Sequence, residues 1–411
     1  MPRERAGGRC GAGFARMCNT LDSLTVATTL AKAPPTLLFT AFEPSGDDHA
    51  AAVIAEIKKA HPSVPIFAWG GPKMARAGAT LVARTGDRSV IGMPGWGVIK
   101  HYHRVFKDID AWLREHRPTL HIPVDSPGAN FPVAKLAKRA GVKVVHLVAP
   151  QLWAWGPWRV KKLRKRTDMV LCILPFEEEF FETRGIRAKF VGHPLFDEAL
   201  DVGSLDDEAR KLPEGEFKIA LFAGSRPTEL RRHFPILLKT FRELKRRYPG
   251  VVGVLGATTE QVRESMYQRA NEWGGWPDGL DCIAGKTDLV VRWCDMALVK
   301  SGTVTLQIAK QAKPMVIFYK TSKLAYKAVG RWIISTPYIA LPNLIAGYEI
   351  IPELVPYFDG PERLIAAAEE LINDPAAQET QRRALRGVIA RFAGKHCGAE
   401  AAAEICRAAG L

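Results

Sequence analysis

A chain of 411 residues, 47% hydrophobic, 25% charged and 9% aromatic, is long enough for two domains and too apolar to be disordered, which excludes a mini-domain, a collagenous chain and a wholly unfolded one. The 58 Lys and Arg exceed the 43 Asp and Glu for a formal charge of +15, which favours an anionic partner: nucleic acid, an anionic lipid surface or a phosphorylated substrate. Seven cysteines (Cys10, Cys18, Cys172, Cys282, Cys294, Cys397, Cys406) without CxxC spacing read as free thiols of a reducing compartment, and no run nears the roughly 18 apolar residues of a spanning helix.

Residues 1–33 carry Arg3, Arg5, Arg9 and Arg16 among Gly and Ala without a sustained apolar stretch, so they are expected to be a disordered extension or a mis-assigned start rather than a secretory leader. Residues 36–41 read as a buried parallel strand, followed by the tight loop Glu43-Pro44-Ser45-Gly46-Asp47 and a helix through Val53, Ile54 and Ile57. Strands are predicted at 65–70, at 121–124 leading into Asp125-Ser126-Pro127, and at 142–148, 169–174 and 189–191, with helices over 133–139 and 177–183. Such alternation predicts a parallel sheet covered on both faces.

The polar, acidic stretch from Asp197 to Glu216 reads as a linker, after which the pattern restarts. Residues 218–222 lead into Gly224-Ser225-Arg226, 251–255 follow, and 297–300 lead into Ser301-Gly302-Thr303 and a helix to Gln311, with another strand at 315–319. From Pro361 the pattern is helical, with Leu364, Ala367, Ala368 and Leu371 on one face. The predicted fold is α/β: two doubly wound parallel-sheet, Rossmann-like domains with a cleft between them. The boundaries are 1–33 for the extension, 34–200 for the first domain, 216–375 for the second, and 376–411 for C-terminal helices that can pack back on the first.

Gly224-Ser225-Arg226 and Ser301-Gly302-Thr303 both follow strands and precede helices, so N–H groups, hydroxyls and a guanidinium can converge on an anion. Each alone is as well explained as a helix cap; two in one domain point to a diphosphate. Asp125 ends an apolar strand, where an acid caps the next helix, is hydrogen-bonded or takes part in chemistry, and Glu43 and Asp47 share that ambiguity. Three acids at strand tips of one domain, facing two anion loops in the other, suit group transfer: a general base on one side, a nucleotide leaving group on the other. The basic run 159–166 after Trp153, Trp155 and Trp158 matches no nucleic-acid motif and reads as a solvated or lipid-facing helix face. His101, His103, His116 and His121 lack metal-ligand spacing, so no metal site is expected. Met93, Trp96, Val98, Ile99, Tyr102, Val105 and Phe106, interleaved with Lys100, Arg104 and Lys107, fit either a membrane-docking helix or a helix packed on the core.

The ordered series Glu43-Pro44-Ser45-Gly46-Asp47, Gly70-Gly71-Pro72-Lys73-Met74, Val124-Asp125-Ser126-Pro127, Pro150-Gln151-Leu152-Trp153-Ala154-Trp155, Ile173-Leu174-Pro175-Phe176-Glu177, Phe190-Val191-Gly192-His193-Pro194, Gly224-Ser225-Arg226, Ser301-Gly302-Thr303 and Leu341-Pro342-Asn343-Leu344-Ile345-Ala346-Gly347 resembles the lipid-A-disaccharide synthases over roughly residues 36–390. The resemblance implies an inverting glycosyltransferase of the GT-B fold that joins UDP-2,3-diacylglucosamine to 2,3-diacylglucosamine 1-phosphate, giving the lipid A disaccharide 1-phosphate and UDP. It implies no cofactor and no metal, a cytoplasmic location on the inner face of the inner membrane, an anionic membrane surface as partner, no nucleic acid, and a homodimer as an open option. By similarity Asp125 falls on the catalytic base and Glu43 on a second functional acid. Gly224, Ser225, Arg226, Ser301, Gly302, Thr303, Gln307 and Asn343 fall on UDP-sugar positions, and Ser45, Gly46, Asp47, Asn130 and His193 on active-site loops. The chain departs from the pattern at Gln307, where Glu is usual, at Gly128-Ala129-Asn130, where an acid and an aromatic are usual, and at Phe42 and Ala50, where glycines are usual. These departures keep two alternatives open: a related transferase with another sugar or lipid, and a catalytically silent paralogue that binds UDP-sugar or lipid.

Overall fold

The computed structural model describes residues 34–85, 96–154, 156–323 and 336–411. Short apolar runs in the first half form β1 (Leu37–Thr40), β2 (Ile66–Gly70), β3 (Thr80–Arg84), β4 (Leu120–Pro123), β5 (Lys143–Leu147), β6 (Met169–Cys172) and β7 (Ala188–Phe190). They pair in parallel in the order β3-β2-β1-β4-β5-β6-β7. Leu37 in β1 lies opposite Ile66 on one side and Leu120 on the other. The inner strands are apolar at consecutive positions because helices cover both faces of the sheet. Those helices are α1 (Pro44–Ala60), α2 (Pro72–Arg76), α3 (Trp96–His116), α4 (Pro127–Arg139), α5 (Val160–Arg164) and α6 (Glu177–Glu182). Pro44 opens α1 where a missing N–H costs nothing, and the helix buries Ala50, Val53, Ile54 and Ile57. On the opposite face α3 and α4 bury Ile109, Leu113, Val133 and Ala137 against Leu38 and Phe42.

The second half repeats the plan with α7 (Val202–Ala209), β8 (Phe217–Phe222), α8 (Pro227–Arg247), β9 (Val251–Ala257), α9 (Glu260–Ala270), β10 (Leu280–Ala284), α10 (Thr287–Trp293), β11 (Met296–Lys300), α11 (Val304–Lys310), β12 (Met315–Lys320) and β13 (Glu353–Tyr357). Its sheet order is β10-β9-β8-β11-β12-β13, so the winding reverses between β8 and β11. The stretch read as a linker is not loose chain. It contains α7, whose Asp206 accepts from the Nε and a terminal amine of Arg292 at 2.6 and 2.9 Å, so one of the acids that suggested a linker is an ion partner of α10.

The chain end joins the two halves. Val388 and Phe392 pack with Leu306 and Ile345 of the second half and with Trp153, Ala154 and Leu174 of the first. The last helix, Cys397–Ala409, then buries Cys397, Ala401, Ala402 and Ile405 in the core under α1. Its N-terminus is fixed by Asp197, which accepts from the backbone N–H groups of Cys397 (2.7 Å) and Gly398 (3.0 Å). Residues Pro35–Leu411 form one compact unit. The five cysteines among the described residues are free and buried, and burial pushes the Cys282, Cys294 and Cys397 thiols up to about 12, the setting of an inert thiol. No helix of the described residues is long and apolar enough to cross a membrane.

Candidate active site

A cavity of about 760 Å³ opens beside the carboxyl ends of β8 and β11, the place where a doubly wound sheet leaves a crevice. Gly224, Ser225 and Arg226 line it from the loop after β8; Ser301, Gly302 and Thr303 line it from the loop after β11, with Gln307 on α11. Gln151, Trp153 and Ala154, from the loop after β5, bring the first half to the same cavity. Gly224 has φ +103°, and a Cβ there would fall 2.5 Å from a Glu229 carboxylate oxygen, so the turn admits only glycine.

Sequence reasoning missed the residues that set the charge of this cavity. Glu229 and Lys300 line it with Arg226 and Arg232, giving three cations and one carboxylate among the described lining residues. Glu229 accepts from Lys300 Nζ at 3.0 Å, from an Arg226 guanidinium nitrogen at 3.4 Å and from the Ser225 N–H at 3.2 Å. Burial alone would raise the Glu229 pKa; the Lys300 hydrogen bond and charge, with Ser225 and Arg226, outweigh it and hold the carboxyl below its usual range. One N–H expected to face an anion is therefore taken by the protein's own carboxylate. The signal was present, since Glu229 falls in the first turn of α8 and Lys300 ends β11, but nothing in the pattern says that two side chains 71 residues apart meet.

Asp125 sits at the tip of β4 with φ +47°, followed by Ser126 at +41°, a backbone shape that side-chain-bearing residues adopt only when the surroundings enforce it. A buried relay does so. His121 Nε2–H donates to Thr40 Oγ1 (2.9 Å), Thr40 donates to Asn130 Oδ1 (2.8 Å), and Asn130 Nδ2 donates to the carbonyls of Val124 (2.7 Å) and Asp125 (2.8 Å). The two carbonyl acceptors fix the Asn130 amide orientation, and that orientation fixes the direction of every bond in the relay. Asn130 is fully buried and holds the Asp125 loop from behind. Burial raises the Asp125 pKa, with the Ser126 N–H pulling it back in part.

Glu177 stands between Asp125 and the cavity, close enough to Asp125 to feel its charge and hydrogen-bonded to Trp153 of the cavity wall. Glu177, fully enclosed, accepts from Trp153 Nε1 (2.8 Å) and from the backbone of Ile173 and Leu174, and so fixes the indole that walls the cavity. Burial lifts its pKa to about 7 against those hydrogen bonds, and the Asp125 charge adds to the rise.

Other expected site residues are placed differently. Glu43 precedes α1 without capping it, and its charge is felt by Tyr102, whose pKa is raised chiefly by burial and then by Glu43. Ser45 is exposed on the first turn, and Gly46 is buried where a Cβ would lie 3.1 Å from that of Ala41. Asp47 is a correction to its reading as a free strand-tip acid on an active-site loop: its carboxylate accepts from the N–H groups of Gly71, Lys73 and Met74 and caps α2. His193 is a second one. It is buried with Nδ1 accepting from the Leu195 N–H, and burial with the nearby His49 lowers its pKa to about 4, so it is a neutral turn cap. Asn343 is a third: fully buried, it donates to Ile351 O and Glu353 and accepts from the N–H groups of Ile350 and Ile351, so it shapes the loop before β13 and does not line the cavity. Tyr102, Val105 and Phe106 are half-buried against the Phe42 core, because their face of α3 is the one that covers the sheet. As membrane contacts they are corrected to core packing. Met93 and the side chains of Trp96, Val98 and Ile99 lie outside what is described. No group of three or more potential metal ligands occurs among the described residues.

The model of the family described as lipid-A-disaccharide synthetase matches residues 37–405. A lipid-A-disaccharide synthase from Anaeromyxobacter sp. (strain K) is 37% identical over 361 residues, spanning 86% of this chain and 92% of its own. One from Geobacter metallireducens is 33% identical over 375 residues, spanning 88% and 94%. Among solved structures, MurG of Acinetobacter baumannii aligns with a TM-score of 0.55 at 13% identity over 91% of this chain and all of that one. A UDP-GlcNAc 2-epimerase of Neisseria meningitidis bound to UDP-GlcNAc aligns at 0.54, with 13% identity, over 91% and 98%. These likenesses carry the two-domain GT-B fold. The family match runs from the first strand to the last helix and the relatives are covered over more than nine-tenths of their length, so the chain belongs to the lipid-A-disaccharide synthase family.

Proposed function

We propose that the protein joins UDP-2,3-diacylglucosamine to 2,3-diacylglucosamine 1-phosphate, forming the β-1,6-linked lipid A disaccharide 1-phosphate and UDP. The observation that carries this reading is the cavity that gathers Gly224, Ser225, Arg226, Ser301, Gly302, Thr303 and Gln307 at the switch point of the second sheet and takes its opposite wall from Gln151 to Ala154 of the first. The second half, 216–375, holds the UDP end of the donor, and the first, 34–200, the acceptor.

In the reaction Asp125 takes the proton of the acceptor 6-hydroxyl as that oxygen attacks the anomeric carbon from the face opposite UDP. The C–O bond to UDP breaks with inversion, and the extra negative charge appears on the diphosphate. A carboxylate whose pKa is raised by burial is a stronger base than a solvated one, and the Asn130 relay fixes the backbone loop that carries it. The cations of the cavity wall meet the charge that develops on the leaving group. Glu43, on the neighbouring strand tip, orients the acceptor.

Both substrates carry acyl chains, so the protein works at the inner face of the inner membrane. Supporting this are Trp158, 62% exposed, and the exposed Lys161, Lys162, Arg164 and Lys165, which leave the buried face of α5 to Val160 and Leu163. Co-sedimentation with anionic but not neutral vesicles tests that placement. Purified protein given both substrates should release UDP in step with disaccharide; UDP release without disaccharide, or none, would sink the assignment.

A further inference from the structure

We propose that Lys300 binds the diphosphate of the nucleotide, and that Glu229 is the internal anion that holds its ammonium in place until the nucleotide arrives. This rests on the reading of the cavity as the UDP site and names a residue of it that neither the sequence pattern nor the loop motifs mark.

Lys300 is the last residue of β11 and only 12% of its side chain is exposed. A lysine there must be paired, and its partner is Glu229, whose side chain is 10% exposed. That carboxylate is shared, since Arg226 and the Ser225 N–H use it too. With Arg232 on the same wall, three cations face one carboxylate, and the cavity keeps a net charge of +2 among its described lining residues. A diphosphate diester is a dianion, so a nucleotide sugar matches that excess, whereas an uncharged sugar or the nucleoside alone leaves it unmet.

The position of the ammonium fits the role. Nζ stands 5.4 Å from the Tyr319 ring centroid, over its face, and a Cβ added to Gly302 would lie 3.2 Å from it. Lys300 is thus folded across the middle of Ser301-Gly302-Thr303, and Gly302 is what makes room for it. An ammonium has three N–H donors and Glu229 accepts one, so Lys300 can keep its internal partner and still donate to phosphate oxygens. Because Ser225 N–H and Arg226 are held by the same carboxylate, Glu229 presets the loop after β8 and the one after β11 relative to each other, beside the place the diphosphate takes.

Calorimetric titrations with UDP, UMP and uridine test this in five proteins: the parent, Lys300→Met, Lys300→Arg, Glu229→Gln, and Lys300→Met in the Glu229→Gln background. Losing a charged hydrogen bond should weaken UDP binding roughly ten- to a hundred-fold in Lys300→Met, leave uridine binding unchanged and flatten the salt dependence. Lys300→Arg should recover most of the loss. The Glu229→Gln background removes the stranded carboxylate, so a Lys300→Met effect of the same size there shows contact with the diphosphate and not a damaged fold. Equal UDP affinity with and without Lys300 in that background, or a parallel loss for uridine and UDP, overturns the assignment while leaving the nucleotide site standing. A parent that binds no UDP overturns both.

Discussion

At position 307 the helix after Ser301-Gly302-Thr303 turns a half-buried, neutral carboxamide toward the cavity, in a wall that otherwise carries excess positive charge. A carboxylate there would accept with both oxygens and add a charge-assisted bond to ribose hydroxyls, about 1.5 to 3 kcal/mol where it forms. Gln307→Glu should therefore tighten UDP binding in calorimetry; unchanged or weaker binding would mean that the ribose lies elsewhere and the pocket is built around the amide. Arg226 and Ser301, marked by their loop positions after strands, and Gln307, marked by the family resemblance, line one cavity, because loop position after a strand decides which residues reach a switch point. Residue pattern alone could not separate Asp125 from Asp47, since both are acids in a Pro- or Gly-rich strand-tip loop; the family resemblance separated them. The fold adds that the Asp47 carboxylate is taken by the N–H groups of Gly71, Lys73 and Met74, while the Asn130 side chain holds Asp125 by its backbone carbonyl.

Among the elements, the adjacent strands β4 and β5 carry the buried histidines His121 and His146, both neutral because burial drives their pKa values down to about 3. The unfolded chain takes up protons on them near pH 6.5 and the folded one does not, so each costs stability as pH falls below 6.5, about 2 kcal/mol by pH 5. Glu177 acts oppositely: with its pKa raised to about 7, it gains a proton in the folded state first and stabilises on acidification from pH 7 toward 4.5. Two deep histidines outweigh one glutamate, so stability should fall between pH 7 and 5. His146→Leu should reduce that fall by about 2 kcal/mol in denaturant titrations at the two pH values; an unaltered fall would show that His146 is not buried neutral. The central strands were legible as continuous apolar runs, whereas β3, β10 and β13 were not. All three are sheet edges with one side unpaired; β3 is largely exposed along its length, so it needs no apolar run.

For the whole molecule, the last helix matters out of proportion to its length, because it returns from the second half to the core of the first. Asp197 anchors that return by capping Cys397–Ala409, and Asp197→Ala should lower stability by about 1 to 2 kcal/mol in thermal or denaturant unfolding. A variant as stable as the parent would show that apolar packing on α1 alone seats the helix. If one half holds the nucleotide and the other supplies the base, the two activities should separate in one variant. Turnover and UDP affinity measured on the same preparation of Asp125→Asn test that directly. The expected result is a rate lower by roughly 10² to 10⁴ with UDP affinity unchanged; a variant that turns over like the parent, or one that loses UDP binding together with turnover, would contradict it.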